Sequence, residues 1–229
     1  HLMRVTHVVR GEEWLSTLPY HIEILRALGW EHPIYCHTTV LMKMDQGVKR
    51  KLSKRKDPEL GLDYYRQLGY HPQAVREYLL TVLNSNFEEW RIANPDAPIE
   101  EFEFTTDKMG SSGALFDLNK LSDVSKDVFA KMTAEEVYDF LLKWAKDHRP
   151  ELADLFAANE SYMLKILAIG RGGDKPRKDL IFASQIFEFI KFFFDDYFTI
   201  EDAYPDNVPR EDVKDIINAY LAGYNHADD

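Results

Sequence analysis

Lysine and serine side chains that could bind phosphate lie close together in residues 49–56, "KRKLSKRK". Residues 43–56 contain seven Lys or Arg and a single acidic residue, although the whole chain has a net charge of -11. Lys51 and Lys54 are three residues apart with Ser53 between them, so their ammonium groups could reach the oxygens of a polyphosphate whose charge grows during a reaction. Taken alone, the cluster is also typical of a solvated basic loop.

The residues on either side of this basic segment predict a small α/β unit. Residues 5–9 form a short β-branched run that is typical of a buried strand. Pro19 suits the first turn of a helix, whose apolar face continues to Gly29. Residues 34–42 predict a second strand, and residues 45–47, "DQG", predict a turn that leads into the basic segment. We therefore expect a mobile basic loop after the second strand.

Helical patterns dominate the chain after Pro58. The apolar spacing predicts helices over 60–68 and 72–83, followed by a linker, "IANPDAPIEEFEF". Thr133 and Glu136 form a capping-box pattern, which predicts the start of another helix. Further helices are predicted near 160–169, near 184–198 and after Pro209. The predicted fold class is mainly α with an N-terminal α/β remnant.

Composition excludes several classes of protein. The single cysteine, Cys36, rules out an internal disulfide framework, and no Cys or His spacing resembles a zinc site. The longest apolar stretch, residues 185–198, is interrupted by four charged residues, so we expect no membrane span. No signal peptide is recognisable, and a cytoplasmic monomer is expected. Residues 1–70 carry 11 Lys or Arg and 8 Asp or Glu, net +3, which leaves residues 71–229 with net -14.

Three spaced segments together resemble the catalytic domain of class I aminoacyl-tRNA synthetases of the glutamyl type. They are "VVRGEEWL" at 8–15, "ALGW" at 27–30 and "KLSKR" at 51–55. The segment "YRQLGYHPQAVREYLLTVL" at 65–83 resembles the family's sequence after the lysine loop, and "GALFDLNKL" at 113–121 resembles a segment of its tRNA stem-contact region. The resemblance implies that residues 1–70 are the second half of a Rossmann-like nucleotide-binding catalytic domain.

The resemblance also implies a reaction and its participants. Glutamate reacts with ATP, which enters as its Mg²⁺ complex, and the resulting glutamyl-adenylate transfers its aminoacyl group to tRNA(Glu). Lys51 and Lys54 match the family's catalytic lysines, which stabilise phosphate charge in the transition state. Ser53 and Arg55 are expected to order the loop or contact the ATP phosphates, and Leu41 matches the position beside adenine, although a leucine is more often a core residue. No protein-bound metal, zinc or organic cofactor is expected.

The resemblance places the glutamate side of the site just after the first strand. Arg10 is expected to bind the carboxylate of glutamate, because a guanidinium offers a planar two-point contact. A salt bridge at the end of the strand is the alternative role for Arg10. Glu13 is expected to line the ATP pocket, and Trp14 both the ATP and the glutamate pockets. Simple core packing is the alternative for Trp14.

A second basic segment, "RGGDKPRKD" at 171–179, could contact tRNA. Its four basic residues could meet the phosphate backbone, which positions a protein on RNA: Arg171, Lys175, Arg177 and Lys178. A soluble connection between helices is the alternative. By resemblance, residues 71–130 are expected to form a helical stem-contact region, and residues 131–229 the first part of a helical anticodon-binding domain.

One signature of the family, His-x-Gly-His, is absent from every position of this sequence. We therefore expect an incomplete synthetase that is inactive when isolated. A glutaminyl or non-discriminating synthetase is a close alternative. A standalone tRNA-binding paralogue without catalytic activity is an alternative from another class of protein, and an unrelated helical interaction protein is a third.

Overall fold

The computed structural model describes residues 1–110, 113–199 and 209–223. Contacts within the chain divide it into two units, His1–Phe187 and Glu188–Asp229. The first unit contains every strand of the described residues and most of the helices. The predicted division of the chain at residues 70 and 130 stays a prediction.

The first unit begins with a parallel pair of strands joined by a helix. Strand β1, His7–Gly11, is followed by a 3-10 turn, Glu12–Thr17, and by helix α1, Leu18–Ala27. Strand β2, Ile34–Thr38, then pairs with β1 in parallel, with Val9 opposite Cys36. The predicted strand–helix–strand order is therefore present.

A second small sheet carries the basic segment. Strands β3, Leu41–Asp45, and β4, Val48–Lys51, form an antiparallel hairpin. Its turn residues Gln46 and Gly47 both have positive φ, 48° and 83°, as a two-residue hairpin turn of type I′ requires. Strand β5, Ala114–Leu115, extends this sheet by pairing in parallel with β3.

Two predictions about this region were wrong in detail. Residues 34–42 are not one strand, because the chain leaves the first sheet after Thr38 and enters the second at Leu41. The basic segment is also not entirely a loop. Residues 48–51 belong to β4, since the turn at Gln46 and Gly47 folds them back onto β3.

Helices form the rest of the described chain. Gly69, with φ of 80°, ends α2 in the left-handed conformation that glycine tolerates. Thr133 and Glu136 form the predicted capping box at the start of α6. The helices after the hairpin are α2 Leu62–Leu68, α3 Pro72–Leu83, α4 Phe87–Ala93, α5 Leu118–Lys131, α6 Ala134–His148, α7 Pro150–Ala158, α8 Glu160–Ala168, α9 Ile186–Ile190 and α10 Arg210–Gly223.

The hydrophobic core of the first unit lies after residue 51. None of residues 1–51 is buried. Apolar side chains such as Val9 and Ile34, 64% and 59% exposed, lie at the surface of the first sheet. One core cluster connects the basic segment to the helices. Its buried residues are Leu52, Tyr65, Tyr70, Tyr78, Phe116 and Leu121. The second sheet and α2, α3 and α5 are thus packed together, whereas β1, α1 and β2 contribute no buried residue.

The second unit contains the end of α9 and all of α10. The helix predicted over 184–198 is shorter, because 3-10 turns at Ala183–Gln185 and Lys191–Phe193 flank α9. The helix predicted after Pro209 is present as α10, and its apolar residues Ile216 and Leu221 are exposed. Within the described ranges, no helix combines the length and the apolar character needed to cross a bilayer.

Candidate active site

After β4, the basic segment continues as a tight turn that is anchored by Leu52. Leu52 is 3% exposed, and its amide donates a hydrogen bond to the carbonyl of Leu41 at 3.0 Å. The carbonyl of Ser53 then accepts hydrogen bonds from the amides of Lys56 and Asp57, at 3.0 and 2.8 Å. Because the buried leucine and this turn fix the backbone, the side chain of Lys54 is presented to solvent.

Asp57, which the sequence analysis missed, lies beneath this turn. Its side chain is 1% exposed and accepts two hydrogen bonds from the guanidinium of Arg50, at 2.7 and 2.8 Å. The amide of Ser53 donates a third, at 2.8 Å. The bonds from Arg50, followed by the bond from Ser53, hold the pKa of the Asp57 carboxyl well below its usual range. The carboxyl is therefore ionised at neutral pH. The sequence signal that could have identified Asp57 is an acidic residue directly after a run of basic residues.

Two of the seven basic residues at 43–56 are used to hold the hairpin together. Arg50 also contacts Asp45, with Nε 2.6 Å from Oδ2. Lys43 hydrogen-bonds to the buried Glu59, and this bond is the main cause of a raised Lys43 pKa. Lys43 Nζ also lies 3.7 Å from Asp57 Oδ1. Among the basic residues at 43–56, those that form no ion pair with any described residue are Lys49, Lys54, Arg55 and Lys56.

Arg10 lies on β1 without a carboxylate partner among the described residues. Its Nε donates to His37 Nε2 at 3.0 Å, and Nη1 lies 3.1 Å from His21 Nδ1. The guanidinium lies over the ring of Tyr35, 5.1 Å from its centroid. The remaining nitrogen, Nη2, is buried and has no hydrogen-bond partner. The strand-end salt bridge considered for Arg10 is therefore not formed within the described residues, and Nη2 has no hydrogen-bond partner among them.

The 3-10 turn after β1 brings Glu13 and Trp14 to the surface. Trp14 is 52% exposed, so it is not buried by the described residues. Glu13 Oε1 lies 3.8 Å from Lys51 Nζ. Leu41, by contrast, is partly buried and packs against the core cluster. The structure thus brings together Glu13, in the turn after β1, and Lys51, at the end of β4.

The loop at 171–179 is tied to the protein itself. Arg171 donates to the carbonyls of Leu167 and Phe129, at 2.8 and 2.5 Å, and its burial lowers its pKa from the usual arginine value. Arg177 pairs with Asp179, and Lys178 Nζ lies 2.6 Å from Asp127. Lys175 forms no ion pair with the described residues and lines a groove of about 810 Å³ beside α3, α4 and α5. The tRNA contacts of these four residues stay a prediction.

A family model described as the catalytic domain of class I tRNA synthetases (E and Q) matches residues 1–123. The chain belongs to this family. The resemblance that the spaced motifs indicated is therefore confirmed. The match includes the first sheet, the hairpin and the basic segment, but not the loop at 171–179.

Two curated relatives of this synthetase chain carry the name glutamate–tRNA ligase. The protein from Acetivibrio thermocellus is 66% identical over all 229 residues, which are 42% of its own length. The protein from Clostridium perfringens strain 13 is 50% identical over 228 residues, covering 98% of this chain and 42% of the relative. The chain thus spans about two fifths of the length of these relatives.

A solved structure has the same fold. It is described as a glutamate tRNA ligase from Elizabethkingia meningosepticum in complex with its amino acid, and it matches with a TM-score of 0.65 at 24% identity. The match covers 97% of the synthetase chain and 45% of the solved one. The mainly helical fold class with small N-terminal sheets is confirmed.

Among the described residues, no group of three or more His, Cys, Asp or Glu could hold a metal ion.

Proposed function

We propose that this chain is part of a glutamate–tRNA ligase and supplies the lysine-loop side of its ATP site. The observation that carries the proposal is the fixed turn at 52–57, which presents Lys54 outward while Lys51 faces Glu13. Cations without an internal partner, held on a rigid backbone, are suited to phosphate oxygens whose charge grows in a transition state. The names of the relatives support glutamate as the amino acid.

In the proposed reaction, the α-carboxylate of glutamate attacks the α-phosphorus of ATP. An oxygen–phosphorus bond forms to the carboxylate, and the bond from the α-phosphorus to the bridging oxygen breaks, so pyrophosphate leaves. Lys51 and Lys54 stabilise the charge on the phosphate oxygens, while Ser53 and Arg55 contact the phosphates. Magnesium enters with ATP as part of the substrate. The 3′-terminal adenosine of tRNA(Glu) then attacks the carbonyl of the adenylate and AMP leaves.

The glutamate side of the proposed site is built on β1 and the turn after it. Arg10 binds a carboxylate of glutamate, and its buried Nη2 without a partner supports this role. The exposed Trp14 provides a flat wall for glutamate and ATP. Glu13 borders the ATP pocket through its contact with Lys51. Leu41, which packs against the core cluster, is proposed to contact adenine as well.

The remaining parts of the chain are proposed to bind tRNA. Residues 1–70 form the second half of the nucleotide-binding domain, residues 71–130 the stem-contact region, and residues 131–229 the first part of the anticodon-binding domain. In the loop at 171–179, Arg171 orders the backbone while Lys175, Arg177 and Lys178 meet tRNA phosphates. A cytoplasmic monomer fits this role in translation.

We propose further that the isolated chain is inactive. It contains no His-x-Gly-His segment, and none of residues 1–51 is buried, so only one wall of an ATP site is supported. The test is a chimera in which this chain replaces the matching region of the Acetivibrio thermocellus relative. The chimera should catalyse glutamate-dependent ATP–pyrophosphate exchange and charge tRNA(Glu), whereas the isolated chain should do neither. An inactive but folded chimera would contradict the proposed function, and charging by the isolated chain would contradict its inactivity.

The same chimera separates the alternatives. A non-discriminating synthetase would charge tRNA(Gln) with glutamate as well, and a glutaminyl synthetase would charge tRNA(Gln) with glutamine instead. A standalone tRNA-binding paralogue would bind tRNA without restoring exchange. The glutamate-specific proposal predicts charging of tRNA(Glu) alone.

A further inference from the structure

We infer that Asp57 is a positioning residue that holds the lysine loop, residues 51–56, in the one conformation that presents Lys51 and Lys54 to phosphate. The inference rests on the proposed function for the identity of the ligand, but not for the geometry of the loop. Asp57 touches neither lysine directly. It acts through Arg50 and the backbone of Ser53, which lie immediately before and within the loop.

The contacts of Asp57 close the loop at both ends. Its carboxylate receives two parallel hydrogen bonds from Arg50, the residue before Lys51, and one from the Ser53 amide. Its own amide returns a hydrogen bond to the Ser53 carbonyl at 2.8 Å. Charge-assisted, two-point bonds of this kind are stronger and more directional than neutral ones. The five residues from Ser53 to Asp57 are thereby held as one closed turn.

The burial of Asp57 makes this closure obligatory. A carboxylate that is 1% exposed must keep its partners, because an unpaired buried charge is strongly unfavourable. Lys43, 3.7 Å from the same carboxylate, and Glu59, bonded to Lys43, extend the network into the hairpin. Asp57 thus pairs with part of the local positive charge, and this pairing fixes the backbone of the loop. The lysines above it stay without a competing partner, apart from the contact of Lys51 with Glu13.

The geometric part of the inference is tested on the 229-residue chain by hydrogen exchange of the Ser53 and Lys56 amides. The substitution D57N keeps the shape but removes the charge. It should speed the exchange of both amides by about 10-fold to 100-fold, the range expected when a hydrogen bond to a charged group is lost. The matched control is D63N, which removes the same charge from an exposed position on α2. Exchange in α6 should not change in either variant, which excludes global unfolding.

The functional part is tested in the chimera by ATP–pyrophosphate exchange. D57N should lower kcat about 10-fold or more and leave the KM for glutamate unchanged, because the lysines are used chiefly in the transition state. D63N should leave both unchanged. R50Q should resemble D57N, and the double variant should be no worse than either single one, because both changes break the same contact.

Each outcome decides a different point. Unchanged Ser53 and Lys56 exchange in D57N would overturn the positioning role. Faster exchange with unchanged kcat would show that Asp57 holds the loop but that the reaction does not need this conformation. That result would also overturn the inference. If the unsubstituted chimera is inactive, the proposed function fails. The hydrogen-exchange measurement alone then decides whether Asp57 positions the loop.

Discussion

Glu13 Oε1 lies 3.8 Å from Lys51 Nζ, although Glu13 follows a strand of the first sheet and Lys51 belongs to the second sheet. This contact brings the turn after β1 to the end of β4. Both side chains are about half exposed, at 49% and 54%, so the pair is held weakly and solvent competes for it. A ligand with phosphate oxygens could therefore replace Glu13 as the partner of Lys51.

Lys54→Ala should slow the activation of glutamate more than it weakens glutamate binding. In the chimera, we expect kcat for ATP–pyrophosphate exchange to fall about 100-fold to 1,000-fold, as for the loss of one preorganised charge contact. The KM for glutamate should change little. Lys56→Ala is the matched control, since Lys56 is exposed in the same loop and has no ion pair with the described residues. Equal effects of the two substitutions would contradict the role of Lys54.

Arg10→Lys should fail to preserve glutamate recognition, because lysine keeps the charge but loses the planar fork. We expect a higher KM for glutamate in the chimera and little change in the KM for ATP. Arg26→Lys, at an exposed position that pairs with Glu23, should leave both constants unchanged. Normal glutamate dependence in the Arg10 variant would mean that its contacts with His21 and His37 are purely structural.

Stability should be lower at the N-terminal end of the isolated chain than in the helices that form its core. None of residues 1–51 is buried, whereas α5 and α6 contain fully buried side chains such as Leu121, Val137 and Leu141. Hydrogen exchange should therefore be faster in β1, α1 and β2 than in α5 and α6. Protection of β1 equal to that of α6 would show that the first sheet is stabilised by contacts the described residues do not contain.

His71 should make the stability of the chain fall on mild acidification. Burial lowers its pKa, while nearby Glu136 partly opposes the shift. The folded state therefore binds this proton less readily than the unfolded state. The stabilisation is complete above the ordinary histidine pKa of about 6.5 and is lost as pH falls below it.

The measurement is thermal unfolding of the 229-residue chain at pH 7.5 and 5.5. His71 caps α3 by accepting a hydrogen bond from the Gln73 amide, and asparagine can cap the helix without titrating. The melting temperature of the unsubstituted chain should fall more than that of His71→Asn over this interval, because only the unsubstituted chain loses the contribution of the lowered His71 pKa. Equal losses would show that other groups govern the acid sensitivity.

Local patterns were enough to predict the elements that depend on neighbouring residues. The hairpin turn at Gln46 and Gly47 and the capping box of α6 are built from residues within a few positions of each other. The family was recognisable for a similar reason, since the spaced motifs are visible as letters. The sequence by itself therefore determined the order of the N-terminal elements, the helical character of the rest and the family.

Tertiary structure decided how the charged residues are used. The sequence shows seven basic residues at 43–56 but not that Arg50 closes on the buried Asp57 or that Lys43 bonds to Glu59. It also shows Arg171 as a surface cation, whereas folding directs its guanidinium to the carbonyl of Phe129. These partners are chosen by burial and by the direction of donors and acceptors in space. Burial and these directions are defined only once the hairpin and the helices have packed together.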